Sequence, residues 1–178
     1  MLTFPDAELV ADSGTVDEAY RRLATELQRV IDHHDCVLMG VMLGGMIPTA
    51  RLAGLLQGDY GMDYCQVSRY RGTEQGGMPE WLQPPRADLK GRIVLLVDDI
   101  FDEGITLEYV ASACKALGAE RVISTVLVRK RHDRVATTYR PDFVGFEVDD
   151  RYVFGCGMDY RHRWRHLNEI YALRDLNS

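Results

Sequence analysis

The stretch Ile93–Thr106, IVLLVDDIFDEGIT, constrains the fold more than any other part of the chain. Its first five residues are all apolar, the pattern of a strand buried on both faces of a parallel sheet. An acidic turn follows, and the spacing predicts a helix from about Gly104 to Leu117 with Gly118 as its C-cap. The same alternation recurs on either side. A helix is expected from Thr15, where Thr15-Val-Asp-Glu18 has capping-box spacing, to about His33. Cys36–Met42 reads as a buried strand breaking into Gly44-Gly45, with Pro48 in the first turn of the next helix. Tyr64–Tyr70, Val122–Val128 and Phe143–Val148 read as further strands. The segment Arg71–Arg92 carries four glycines and three prolines and reads as a long covering loop. Strands alternating with helices imply an α/β fold. The expectation is one domain over residues 1–178, a mostly parallel sheet flanked by helices, with a small hood subdomain made from the chain ends.

A formal net charge of −6 argues against a constitutive nucleic-acid binder. No apolar run reaches the length of a membrane span, and MLTFPDAELVADSGT lacks the basic and apolar regions of a signal peptide. Cys36, Cys65, Cys114 and Cys156 are far apart, form no Cys-x-x-Cys, and sit beside apolar runs, so they read as small core residues. A cytoplasmic protein is expected.

Ligands of open α/β sheets bind where strands end at their carboxyl edge. Here that edge carries Asp98-Asp99, then Asp102-Glu103-Gly104, then Thr106 at a helix start. Backbone N–H groups leading into a helix N-terminus form an anion cradle, and the Thr106 hydroxyl can donate to a phosphate oxygen. Carboxylates cannot themselves bind phosphate; they ask for hydroxyls or a hard cation such as Mg²⁺. One short turn therefore asks for a phosphorylated sugar. A receiver domain also pairs acids after a strand but lacks the Gly-x-Thr ending, and a plain solvated turn would need neither.

VLLVDDIFDEGIT resembles the signature of type I phosphoribosyltransferases, which bind 5-phosphoribosyl-1-diphosphate (PRPP) with Mg²⁺. RPDFVGFEVDDRYVFGCGMDYRHRWRHLNEI, Arg140 to Ile170, is similar to the carboxyl-terminal part of the hypoxanthine-guanine phosphoribosyltransferases. Val41–Gly45 falls where that family has its diphosphate loop, and Arg69-Tyr70 where its mobile catalytic loop begins. The resemblance implies purine salvage: PRPP plus hypoxanthine or guanine gives IMP or GMP and diphosphate. It also implies that Asp98 and Asp99 hold the ribose hydroxyls and, mainly through them, Mg²⁺. Glu103, Gly104, Ile105 and Thr106 would wrap the 5′-phosphate, and Leu43, Gly44 and Gly45 would meet the diphosphate with Arg69, Tyr70 and Arg165. Asp102 would be the catalytic acid or base beside purine N7. Lys130 would donate to the 6-oxo group, Tyr152 would stack on the ring, and the Val153 backbone would meet the exocyclic edge. Asp159 would hold a second Mg²⁺ beside the purine. A homodimer or homotetramer is implied as well.

Some residues admit other readings. Arg129 rivals Lys130 at the 6-oxo group, because the loop that follows is one residue longer than usual. Tyr152 could be plain core. Arg161-His-Arg-Trp-Arg-His166 could be a diphosphate-attracting rim or a solvated face. Leu43 stands where the family commonly has Lys or Arg, and Ile105 where it is often polar. The rival class is a regulator of this fold that binds RNA, which would need a basic surface. A xanthine preference is the rival within the enzyme class.

Overall fold

The central strand of the expected unit lies in the middle of the molecule, paired on both edges. The computed structural model describes residues 4–71 and 74–174, and the backbone alone for 69–71 and 74–78. In chain order the elements are β1 (Ala7–Ala11), α1 (Ser13–Ile31), β2 (Cys36–Met42), α2 (Met46–Ala53), β3 (Gly61–Arg71) and β4 (Glu74–Gln83). They continue as β5 (Ile93–Phe101), α3 (Ile105–Ala116), β6 (Arg121–Arg131), β7 (Phe143–Asp149), β8 (Val153–Phe154) and β9 (Ile170–Leu173). Among the described residues, one sheet has the order β4-β3-β2-β5-β6-β7 and a second the order β1-β9-β8. All neighbours in the large sheet are parallel except β3 and β4. The small sheet joins both ends of the chain into the expected hood.

The large sheet is apolar on both faces. On one side Leu38, Leu95 and Ile123 meet Tyr20, Leu23 and Leu27 of α1 and Leu52 of α2. On the other, Val37, Met39, Val94 and Leu96 meet Leu107, Val110 and Cys114 of α3. Each fully buried leucine or valine contributes about 1.5–3 kcal/mol relative to exposure. The same alternation leaves every cysteine free and buried.

Three expectations are corrected. Helix α1 opens earlier than Thr15: Asp12 is its N-cap and accepts from the Thr15 amide at 2.8 Å. A carboxylate at that position satisfies an orphan N–H and favours the positive helix end, so the capping box is not used. The segment read as a loop from Arg71 holds strand β4, antiparallel to β3. Its Gly76, Gly77 and Pro79 are tolerated because β4 is an edge strand, where missing donors and register shifts leave the inner ladders intact. Gly72 and Thr73 of that segment lie outside the described residues. Strands β5 and β6 are longer than their apolar runs, because their parallel pairing continues through Asp98↔Val126, Ile100↔Val128 and Phe101↔Arg129. Asp98 and Asp99 therefore lie within the last part of β5, at the strand end expected for them, and Lys130 lies inside β6 rather than just past it.

Candidate active site

The carboxyl ends of β2, β5 and β6 open on one side of the large sheet, under the hood. From the end of β5 into the first turn of α3, residues Asp98–Leu107 line a cleft of about 220 Å³. Gly104 caps α3 with a left-handed φ of +85°. A side chain there would be strained, and its Cβ would come within 2.5 Å of Thr137 and 2.7 Å of the Phe101 ring. The turn is thus shaped so that the Ile105 and Thr106 amides open the helix toward the cleft.

Asp98 and Asp99 are buried beside this cradle. The Asp99 amide donates to Asp98 Oδ1 at 2.9 Å. Desolvation, followed by the neighbouring Asp99 charge, pushes the Asp98 carboxyl well above the usual carboxylate range. Burial raises Asp99 as well. Among the described residues their nearest cation is Arg165, whose Nη1 lies 3.8 Å from Asp99 Oδ2. Two adjacent carboxyl groups so poorly compensated are suited to hydroxyl donors or a metal ion arriving with a ligand.

On the other side of Asp99 lies the turn after β2, where the Met42–Leu43 peptide is cis. The Leu43 side chain is exposed, so no cation stands at this point of the turn. A Cβ on Gly157 of the hood would lie 2.2 Å from the Gly44 carbonyl oxygen, so these two segments touch through backbone alone. Arg165 closes the group: it donates to the Gly157 carbonyl and pairs with Asp159.

A second cleft, of about 180 Å³, runs from Asp99 and Asp102 past Lys130 to Tyr152, Val153, Met158 and Asp159. Asp102 is its most heavily bonded group. Lys130 Nζ donates to its Oδ2 at 2.8 Å, and His132 Nε2 lies 2.6 Å from its Oδ1. Burial alone would raise the Asp102 carboxyl; the hydrogen bonds and charge of Lys130, with His132, outweigh it and hold it below the usual range. Tyr152 stands at the mouth, edge-on to Tyr160 with ring centres 5.7 Å apart.

A phosphoribosyl transferase domain model matches residues 10–161 of this chain. The chain belongs to that family. The transferase is 30% identical over 169 residues to the hypoxanthine-guanine phosphoribosyltransferase of Streptococcus pneumoniae strain R6, covering 94% of this chain and 93% of the relative. It is 29% identical over 165 residues to that of Aquifex aeolicus, covering 89% and 92%. Its fold is similar to a hypoxanthine phosphoribosyltransferase of Trypanosoma cruzi solved in complex with the product IMP, with a TM-score of 0.86, 25% identity and 98% of each chain covered. Membership in the hypoxanthine-guanine group, as the sequence motifs implied, is thereby established.

The structure gathers many of the expected residues of the transferase in two adjoining clefts, with Leu43, Gly44, Gly45 and Arg165 outside both linings. Asp98 through Thr106 line the first; Asp102, Lys130, Tyr152, Val153 and Asp159 line the second. Arg129 is turned away. In the parallel register Arg129 faces Glu147 and Arg131 faces Asp149, and both pairs form ion pairs. The intervening Lys130 therefore points to the opposite face, toward Asp102. Arg165, from the basic run, turns inward, whereas Arg161 stacks on Tyr160 at 5.2 Å. The side chains of Arg69 and Tyr70 lie outside the described residues.

His132, Gly157 and Met158 escaped the sequence reading of the transferase. His132 lies just past the basic run Arg129–Arg131, among charged side chains that give it no local signal of its own. The usable signal was its place two residues after a strand-end lysine. The donor chemistry fits Mg²⁺ at Asp98, Asp99 and Asp159, carboxylates near which Arg165 is the cation at short range among the described residues. Asp102, His132 and Asp150 also bring ligand atoms within 4.8 Å of one another. There Lys130 and Arg134 already supply the positive charge.

Proposed function

We propose that this chain transfers the 5-phosphoribosyl group of PRPP to hypoxanthine or guanine, releasing IMP or GMP and diphosphate, with residues 1–178 acting as one domain. The observation that carries the reading is the side-by-side placement of a donor and an acceptor, Lys130 and Asp102, 2.8 Å apart in the second cleft. A 6-oxopurine presents their complement, an oxygen acceptor at position 6 beside an N7–H donor. Tyr152 stacks on the ring, and the Val153 backbone meets its exocyclic edge. The amides of Glu103–Thr106 and the Thr106 hydroxyl hold the 5′-phosphate. Asp98 and Asp99 accept from the ribose hydroxyls. The amides of Leu43, Gly44 and Gly45 take the diphosphate, with charge from Arg165 and Arg69, and Tyr70 lies beside it on the covering hairpin.

Glycosidic transfer passes through an oxocarbenium-like state, and the departing diphosphate must have its charge met. Mg²⁺, held by Asp159 and, through the ribose hydroxyls, by Asp98 and Asp99, would supply that neutralisation. Asp102 accepts the N7 proton as N9 bonds to the sugar.

The four free, buried cysteines suit a reducing cytoplasm. Among the described residues no helix is long and apolar enough to cross a membrane. The exposed apolar side chains Met62, Tyr64 and Leu82 on β3 and β4 support association into a homodimer or homotetramer.

Incubation with PRPP, Mg²⁺ and each of five nucleobases, followed by chromatography of the nucleotides, tests the reading. Hypoxanthine and guanine are expected to react. Adenine, whose amine would face the Lys130 ammonium and leave a desolvated donor unpaired, is expected to react about 10²-fold more slowly. Equal rates with adenine would overturn the purine-site assignment.

A further inference from the structure

The contacts of Asp102 raise a question that the transfer reaction does not answer. Both of its carboxylate oxygens are engaged by side chains of the protein, Oδ2 by Lys130 and Oδ1 by His132. A nucleobase that takes Lys130 onto its 6-oxo oxygen strips Oδ2 of its partner. That same oxygen is then the one open to N7–H. The hydrogen bond that remains to hold the carboxylate is that of His132 to Oδ1, with the Arg134 guanidinium farther off at 3.9 Å.

The ring of His132 is itself fixed. Its side chain is only 5% exposed. The Arg134 amide donates to its Nδ1 at 3.0 Å, so Nδ1 is bare and the ring proton sits on Nε2. Nε2–H therefore donates to Asp102 Oδ1 and cannot receive a proton from it without losing the Arg134 contact. Arg134 also pairs with Asp150 at 2.5 Å, which anchors the loop after β6 that carries the imidazole.

We infer that His132 is a positioning residue for the transfer: its Nε2–H holds Asp102 by Oδ1, so that Oδ2 faces purine N7 once Lys130 has moved to the 6-oxo group. The inference rests on the transfer reading above. In the step it serves, N9 bonds to the sugar C1′, and the C1′–O bond breaks with its electron pair leaving on diphosphate. The N7 proton passes to Asp102 Oδ2. His132 gives and takes no proton; it keeps the acceptor aimed and favours the carboxylate form until the proton arrives. Among the described residues, the titratable and charged groups facing that carboxylate are Lys130 from β6, and the His132 imidazole and Arg134 from the following loop, with Asp150 behind Arg134.

His132→Phe keeps the ring's bulk and removes the donor, whereas His132→Gln places an amide N–H near the position of Nε2. With hypoxanthine and Mg²⁺-PRPP, the Phe variant is expected to lose on the order of 10–100-fold in kcat, the size of a hydrogen bond to a charged group. KM for PRPP should stay unchanged. The acid limb of kcat should move to higher pH, because a carboxylate that loses a donor holds its proton more tightly. The Gln variant should recover both kcat and the limb. A Phe variant equal to wild type, or Phe and Gln variants equally impaired with an unmoved acid limb, overturns the positioning role and leaves the transfer reading standing. A wild-type protein that makes no nucleotide from PRPP and a 6-oxopurine overturns the transfer reading and this inference with it. Should the Phe variant fail to fold, nitrogen NMR of the wild-type imidazole decides. A protonated Nε2 with bare Nδ1 at neutral pH supports the inference, and a proton on Nδ1 overturns it.

Discussion

Replacing Asp102 with asparagine is expected to lower turnover by about 10²–10⁴-fold, on the order of 3–5 kcal/mol in the barrier. Neutral purine must lose a proton as its N9 bonds to ribose, and asparagine keeps the shape of the acceptor without being able to take that proton. The carboxylate it replaces is held below the usual carboxylate range, so it is ionised and ready at neutral pH. PRPP affinity should hardly change, because the phosphate cradle of Glu103–Thr106 is built from backbone. Asparagine can still accept from Lys130 or His132, so Tm is expected to stay within about 4 °C of wild type. Turnover, PRPP binding and Tm measured together separate the possibilities. Retained turnover would remove Asp102 from the proton transfer. Simultaneous loss of PRPP binding would make its role one of holding the cradle's shape.

The second large effect is expected at Asp98, with two signs at once. Asp98→Asn should raise the Tm of the ligand-free protein by about 3–6 °C, roughly 1–2 kcal/mol. Burial and the Asp99 charge raise the folded-state Asp98 carboxyl above its ordinary value of 3.8. A group raised in this way stabilises the fold when protonated, and that contribution is lost as pH climbs from the unfolded value through the raised folded one. The stability gap between variant and wild type should therefore open as pH rises through that window. The amide keeps an oxygen for the Asp99 N–H, so the strand end survives. Activity should fall by about 10³-fold, because on the proposed reading charge-assisted hydrogen bonds from the ribose hydroxyls are weakened. Thermal unfolding across pH, with and without Mg²⁺-PRPP, checks both halves. A variant no more stable than wild type at neutral pH would mean that this buried pair is compensated.

What was legible in the sequence was what is local. Ile93–Thr106 carries its strand, its acids, its turn glycine and its helix start within one short stretch, and each has a local signature. The alternation of Arg129, Lys130 and Arg131 was equally local, but its outcome was not. Only the acids of β7, brought alongside by the sheet register, turn the arginines one way and Lys130 the other. Strand β4 was hidden by Gly76, Gly77 and Pro79, whose cost depends on whether a strand is at an edge, a fact set by topology. The strands of the hood were hidden for a different reason. Val153–Phe154 is two residues long, and Ala7–Ala11 gains its order from a partner at the far end of the chain. His132 acquires its role from a loop that folds back on its own side chain, which no spacing rule anticipates.

The hood closes by pairing Ala7 with Leu173 and Glu8 with Ala172, contacts between opposite ends of the chain. Tyr152, Val153, Asp159 and Arg165 are set in place by that closure, while the large sheet can pair its strands before it. Closing a contact across so large a sequence separation is entropically costly and slow. On the proposed reading, a copy in which the small sheet has opened would keep the turn that holds the phosphate and lose the pocket that holds the base.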